Sequence, residues 1–107
     1  DDSLTLPMMS VGARGVISVV SNVAPKEIAQ MCALFARGET SAAMELHHKY
    51  FSLLKTLFIE TNPIPVKYAL HLMGHCGPEP RLPLTPLSEK HRETLKKALI
   101  HAGLMPL

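Results

Sequence analysis

Arg14-Gly15-Val16-Ile17-Ser18-Val19-Val20-Ser21-Asn22 is the one stretch of this chain that reads as a β-strand. Val16, Ile17, Val19 and Val20 are β-branched and follow one another almost without a polar break. An alternating strand keeps one wet face. This one is apolar on both, the pattern of a strand buried in a parallel sheet with helices around it. A single strand cannot satisfy its own N–H and C=O groups and needs a neighbour on each side. The rest of the sequence offers no second strand of this quality, so the expectation is the last strand of a sheet whose other strands lie elsewhere.

Helices flank that strand. Residues 2–12 read as a short helix, with Asp2 or Ser3 to cap its first N–H groups and Gly12 for a left-handed stop. Ala24-Pro25-Lys26-Glu27 opens a second helix with proline at the first helical position. Its apolar stripe is Ile28, Met31, Cys32 and Phe35, and Gly38 ends it. Residues 3–37 are thus helix, strand, helix, the repeating unit of an α/β fold.

From residue 38 onward the pattern is all-helical. Thr40 is the expected cap of a long helix to about Leu57 or Phe58, with Met44, His47, Phe51, Leu54 and Phe58 as its stripe, widened by Tyr50, Leu53 and Leu57. Asn62-Pro63-Ile64-Pro65 breaks it and starts a short helix that ends at Gly74. Pro78, Pro80, Pro83 and Pro86 make 75–87 a surface loop. Ser88 is the expected cap of a last helix to about Ala102, with Leu95, Ala98, Leu99 and Ala102 inward and Glu93 able to pair with Lys97.

Composition excludes several classes of function. A net charge of +2 with scattered charges lacks the clustered Lys and Arg of a nucleic-acid surface. No apolar run approaches the roughly 18 residues of a membrane span. Two cysteines far apart, Cys32 and Cys76, form no disulfide framework and point to a reducing, cytoplasmic setting. The chain opens Asp1-Asp2, with no initiator Met and no leader pattern, and reads as starting mid-chain.

Few side chains suggest chemistry by themselves. His71, His75 and Cys76 are zinc-type ligands, but Gly74 breaks their helix and no carboxylate or second Cys is near in sequence. His47 and His48 point about 100° apart on a helix and read as surface histidines. Cys32 reads as a small core residue. Lys67, just inside a proline-started helix, reads as a solvated charge or as a reach toward carbonyl groups or an acidic partner. Ser18, Ser21 and Asn22 stand at the carboxyl end of the strand, the edge where α/β barrels build active sites. Loop capping is the plainer reading of these three.

Several motifs in order carry a resemblance. Asp1-Asp2, then Gly12-Ala13-Arg14-Gly15-Val16-Ile17-Ser18-Val19 and Asn22-Val23-Ala24-Pro25, resemble the seventh-helix to eighth-strand segment of the dihydrodipicolinate synthase family. Asn62-Pro63-Ile64-Pro65-Val66-Lys67-Tyr68-Ala69 resembles its N-P-x-P-x-K signature, and Arg81 to Leu87 and His101-Ala102-Gly103-Leu104 resemble its tail. The resemblance covers essentially the whole chain.

It implies the last βα segment of a (β/α)₈ barrel in 1–37 and an all-helical C-terminal domain in 38–107. It implies a lyase of lysine and diaminopimelate synthesis that condenses pyruvate with aspartate-semialdehyde, as a homotetramer, without metal or dissociable cofactor. The family's Schiff-base lysine, on strand six, and its proton-relaying tyrosine, on strand five, would both precede Asp1, as would the glycine of its S-G-D-D turn. No catalytic residue is therefore expected in this segment, and none of Lys26, Lys49, Lys55, Lys67, Lys90, Lys96 and Lys97 is expected to form the imine. The substrate contact carried over is Ile17, through its backbone carbonyl. Leu4, Met8 and Val11 are the expected contact between subunits. Another pyruvate-dependent lyase of the N-acetylneuraminate lyase superfamily, or a non-catalytic helical oligomerisation module, are the alternative readings.

Overall fold

Five α-helices follow one another in the computed structural model, which describes all 107 residues. They are α1 (Thr5–Ser10), α2 (Pro25–Ala36), α3 (Thr40–Thr56), α4 (Ile64–Leu72) and α5 (Glu89–His101). Single 3₁₀ turns occupy Asp2–Leu4 and Val20–Asn22.

The expected strand is not formed. Residues 13–18 carry no regular structure, and Val20–Asn22 is a 3₁₀ turn. The backbone N–H groups of Arg14 through Ser18 donate to nothing, and the carbonyls of Ala13 through Ile17 accept nothing. The reason is the one that made the strand demand neighbours: a ladder needs a partner, and no other segment of this chain supplies one. Nor is the stretch buried on both faces. Val20 is fully buried, Val16 and Val19 are half-buried, and Ile17 is wholly exposed.

The core lies between α2, α3 and α5, with α1 and α4 closing its ends. One continuous cluster runs from Leu6 and Met9 through Ile28, Met31, Leu53, Leu54 and Leu57 to Leu95, Leu99 and Ala102. The α5 face is as the spacing predicts, with Leu95, Ala98, Leu99 and Ala102 all buried. The α3 face is rotated from expectation. Ala43, Tyr50, Leu53, Leu54 and Leu57 point inward, while Met44 and Phe51 are 49% and 42% exposed. The sequence placed apolar residues on nearly every side of α3, so periodicity alone did not fix which arc faces the core. Cys32 packs against the core, and burial raises its thiol pKa.

Side-chain caps expected of Asp2, Ser3, Thr40 and Ser88 are not made. Thr40 is the first residue of α3 itself, behind Glu39, whose carboxylate pairs with Arg37 at 2.8 Å. At α5 the side chain comes from elsewhere: Ser88 N–H donates to Glu60 Oε2 at 3.1 Å, and His91 Nδ1 lies 2.5 Å from the same oxygen. Glu93 and Lys97 form no ion pair; the two pairs present are Arg37–Glu39 and Glu60–His91. The glycine stops are as expected. At Gly38, with φ +83°, the turn lets Glu39 N–H reach back to the Leu34 carbonyl at 2.9 Å, a geometry L-residues adopt only with strain. The loop 75–87 is largely exposed, and Leu87 anchors it in the core.

Candidate functional site

The polar set after the unpaired stretch is organised by an acid at the other end of the segment. Asp2 is 2% exposed. Its carboxylate accepts from the Ser18 hydroxyl and, at 3.0 Å, from Val19 N–H. Ser18 Oγ in turn accepts from Ser21 N–H at 2.9 Å, and Ser21 Oγ donates to the Ser18 carbonyl at 2.9 Å. Asn22 Nδ2 donates to the Val19 carbonyl at 2.9 Å. Ser21 and Asn22 thus cap the loop, and Ser18 links it to the N-terminus.

Beside this knot opens a pocket of about 420 Å³. One wall is Ile17, Ser18, Val19 and Asn22; the other is Asn62, Pro63, Val66, Lys67 and Leu70, from the start and first turns of α4. The proline-rich break places this wall. Ile64 N–H donates to the Thr61 carbonyl and Lys67 N–H to the Pro63 carbonyl, so α4 begins within one turn of Asn62. Lys67 is half-buried, and neither its ammonium nor the Asn62 side chain has a hydrogen-bond or ion-pair partner in the chain. No carboxylate lines the pocket.

The structure therefore brings Ile17, Ser18 and Asn22 together with Lys67, which is 45 residues on from Asn22. Two members were not singled out from the sequence. Asp2 read as a helix cap, and only its place in a segment resembling a barrel edge hinted at more. Asn62 read as a helix break.

The histidines fall elsewhere. His71 Nδ1 lies 3.1 Å from the Cys76 carbonyl oxygen, while His75 and Cys76 are exposed. No group of three or more His, Cys, Asp or Glu side chains converges. His47 is no ordinary surface histidine. Its ring packs 5.3 Å from that of Phe51, its buried Nδ1 has no partner, and burial, then the neighbouring His48, holds its pKa below the usual value. It borders a second hollow of about 300 Å³ with Leu6, Pro7, Ser10, Phe35 and Met44. On α1, Leu6 and Met9 are buried, and Leu4, Met8 and Val11 are 51%, 54% and 79% exposed on or beside it. No helix is long and apolar enough to cross a membrane.

This chain belongs to the dihydrodipicolinate synthetase family, whose family model matches residues 1–102. It is similar to the 4-hydroxy-tetrahydrodipicolinate synthase of Sulfurihydrogenibium sp. (strain YO3AOP1), 55% identical over 100 residues that cover 92% of this chain and 34% of the relative. Among solved structures it is similar to dihydrodipicolinate synthase from Thermotoga maritima, with a TM-score of 0.95 and 50% identity over 98% of this chain and 36% of that one. The enzyme from Acinetobacter baumannii, solved in complex with pyruvate, superposes with a TM-score of 0.93 and 46% identity over the same shares. The chain spans about a third of the length of the curated relatives it matches.

Proposed function

We propose that this chain is the C-terminal part of a 4-hydroxy-tetrahydrodipicolinate synthase, which joins pyruvate to aspartate-semialdehyde through a Schiff base. The observation that carries the reading is the match across residues 1–102 to a family whose curated relatives are about three times as long. In this reading residues 1–37 end a (β/α)₈ barrel and 38–107 form the helical domain packed on it. The imine-forming lysine and the proton-relaying tyrosine belong to the remainder of the barrel.

Ile17 is the residue of this chain that meets pyruvate, through its backbone carbonyl. Its support is position: it is wholly exposed, borders the polar pocket, and lies in the stretch whose backbone groups are free. A lysine nucleophile needs a desolvated pocket to lower its pKa, and an apolar wall at Ile17 and Val19 contributes to one. The assembly is a homo-oligomer in contact through Leu4, Met8 and Val11, supported by their exposure. Both cysteines are free thiols, in keeping with a cytoplasmic enzyme.

Borohydride trapping tests the division of roles. With pyruvate and borohydride, the full-length enzyme should gain one pyruvate-derived adduct by mass spectrometry, and the 107-residue chain none. An adduct on any lysine of this chain would overturn it.

A further inference from the structure

We infer that Asp2 is a positioning residue for pyruvate: its carboxylate fixes the direction of the Ile17 carbonyl. This rests on the function proposed above, in which that carbonyl meets pyruvate. Asp2 is 2% exposed and is itself held at the start of α1, where the Thr5 hydroxyl donates to its backbone carbonyl at 2.7 Å. Its side chain crosses to the far end of the unpaired stretch. There it accepts from the Ser18 hydroxyl and, at 3.0 Å, from Val19 N–H.

A carbonyl accepts along the directions of its lone pairs, so its use to a bound keto acid depends on how its peptide plane is turned. The next plane along the chain is held on both edges. The Ser18 carbonyl accepts from Ser21 Oγ at 2.9 Å, and Val19 N–H donates to Asp2. The Ser18 side chain is held as well, its hydroxyl donating to Asp2 and its oxygen accepting from Ser21 N–H at 2.9 Å. With Cβ and the carbonyl carbon of Ser18 both fixed, the tetrahedral Cα leaves its nitrogen one place. The Ile17–Ser18 peptide is planar. The Ile17 carbonyl therefore keeps a single freedom, rotation about the Ser18 N–Cα bond, which sterics confine. Without the carboxylate, the Ser18 hydroxyl and Val19 N–H are released together. Ser21 alone then holds Ser18, through contacts three residues away that turn with it.

The test is steady-state kinetics of the full-length enzyme with Asp2→Ala, Asp2→Asn and Ser18→Ala, scaled to the folded fraction measured by circular dichroism. The kcat/KM for pyruvate covers the steps up to the imine, and the kcat/KM for the aldehyde those after it. Asp2→Ala should lower the pyruvate value about ten- to a hundredfold and leave the aldehyde value within about twofold of wild type. Adduct formation trapped by borohydride should slow by the same factor as the pyruvate value. Asp2→Asn keeps an oxygen for Val19 N–H and an amide to donate to Ser18 Oγ, and should recover most of the loss. If Asp2→Ala yields no folded enzyme, Ser18→Ala carries the test, with a smaller loss in the same direction. A pyruvate value that is unchanged, or that falls by the same factor as the aldehyde value, makes Asp2 a tie of the fold alone and overturns the inference. A wild-type enzyme that traps no pyruvate sinks the proposed function, and the inference with it.

Discussion

Val19 N–H donates to the carboxylate of Asp2 at 3.0 Å, across seventeen positions of sequence. The same buried carboxylate takes the Ser18 hydroxyl. Asp2→Ala would strand both donors, and hydrogen bonds to a charged group contribute about 1.5–3 kcal/mol each. A loss of about 3 kcal/mol is expected in urea denaturation, with Ser18→Ala costing about 1 kcal/mol. Equal, negligible effects of the two would show that the knot at the loop does not hold the N-terminus.

The rotated face of α3 can be checked by truncation. Leu53 is fully buried and Phe51 is 42% exposed. Leu53→Ala should cost about 2–5 kcal/mol through lost transfer energy and a cavity. Phe51→Ala should cost about 1 kcal/mol or less. The reverse order would put Phe51, a member of the expected stripe, back in the core in place of Leu53.

Two groups set a pH dependence of the same sign. Burial, aided by His48, holds His47 below its ordinary value of 6.5. The His91 ring, then the Ser88 N–H, hold Glu60 below its ordinary 4.5. In each case the folded state binds its proton less readily than the unfolded chain, so stability is complete above the ordinary value and drains as pH falls toward the lowered one. His47→Leu should therefore lose less melting temperature than wild type between about pH 7.5 and pH 5.5. Glu60→Gln should lose less between about pH 5 and pH 3. Parallel curves for variant and wild type in calorimetry would rule out the assigned group.

Val11, 79% exposed, should matter only in the assembly. In the homo-oligomer proposed above, Val11→Asp is expected to split the assembly into smaller units, because a symmetric contact feels the substitution twice. Pyruvate should still bind. Sedimentation at low micromolar concentration that shows an assembly unchanged from wild type would leave Leu4, Met8 and Val11 without an oligomer role.

Elements governed by local rules were readable in the sequence. Pro25 at a helix start, Gly38, Gly74 and Gly103 at helix stops, and the Leu95–Ala102 stripe of α5 all stand where residue chemistry puts them. What failed depended on partners distant in sequence. Ser88 makes no side-chain cap; the carboxylate at this helix start is that of Glu60, twenty-eight residues earlier, which accepts from its N–H. Asp2 is no helix cap because Ser18 and Val19 take its carboxylate. The pocket was half legible: Ile17, Ser18, Asn22 and Lys67 each drew attention, but nothing in the spacing joined Lys67 to the loop or gave Asn62 a part beyond ending a helix.

The stretch with free backbone is tied at both ends to one short N-terminal segment: Ala13 N–H to the Met8 carbonyl and Val19 N–H to Asp2, each at 3.0 Å. Arg14 to Ser18 therefore form an arch with fixed feet rather than a loose thread. Strand addition to a flexible segment must first meet the entropy of ordering it. Here much of that ordering is done by helix and carboxylate before any neighbour arrives. The arch is a template in waiting: a neighbouring strand would find the five free N–H groups of Arg14 to Ser18 held on a segment already anchored at both ends. Asp2 is the clasp of that arch, holding its far foot through Val19 N–H and the Ser18 hydroxyl.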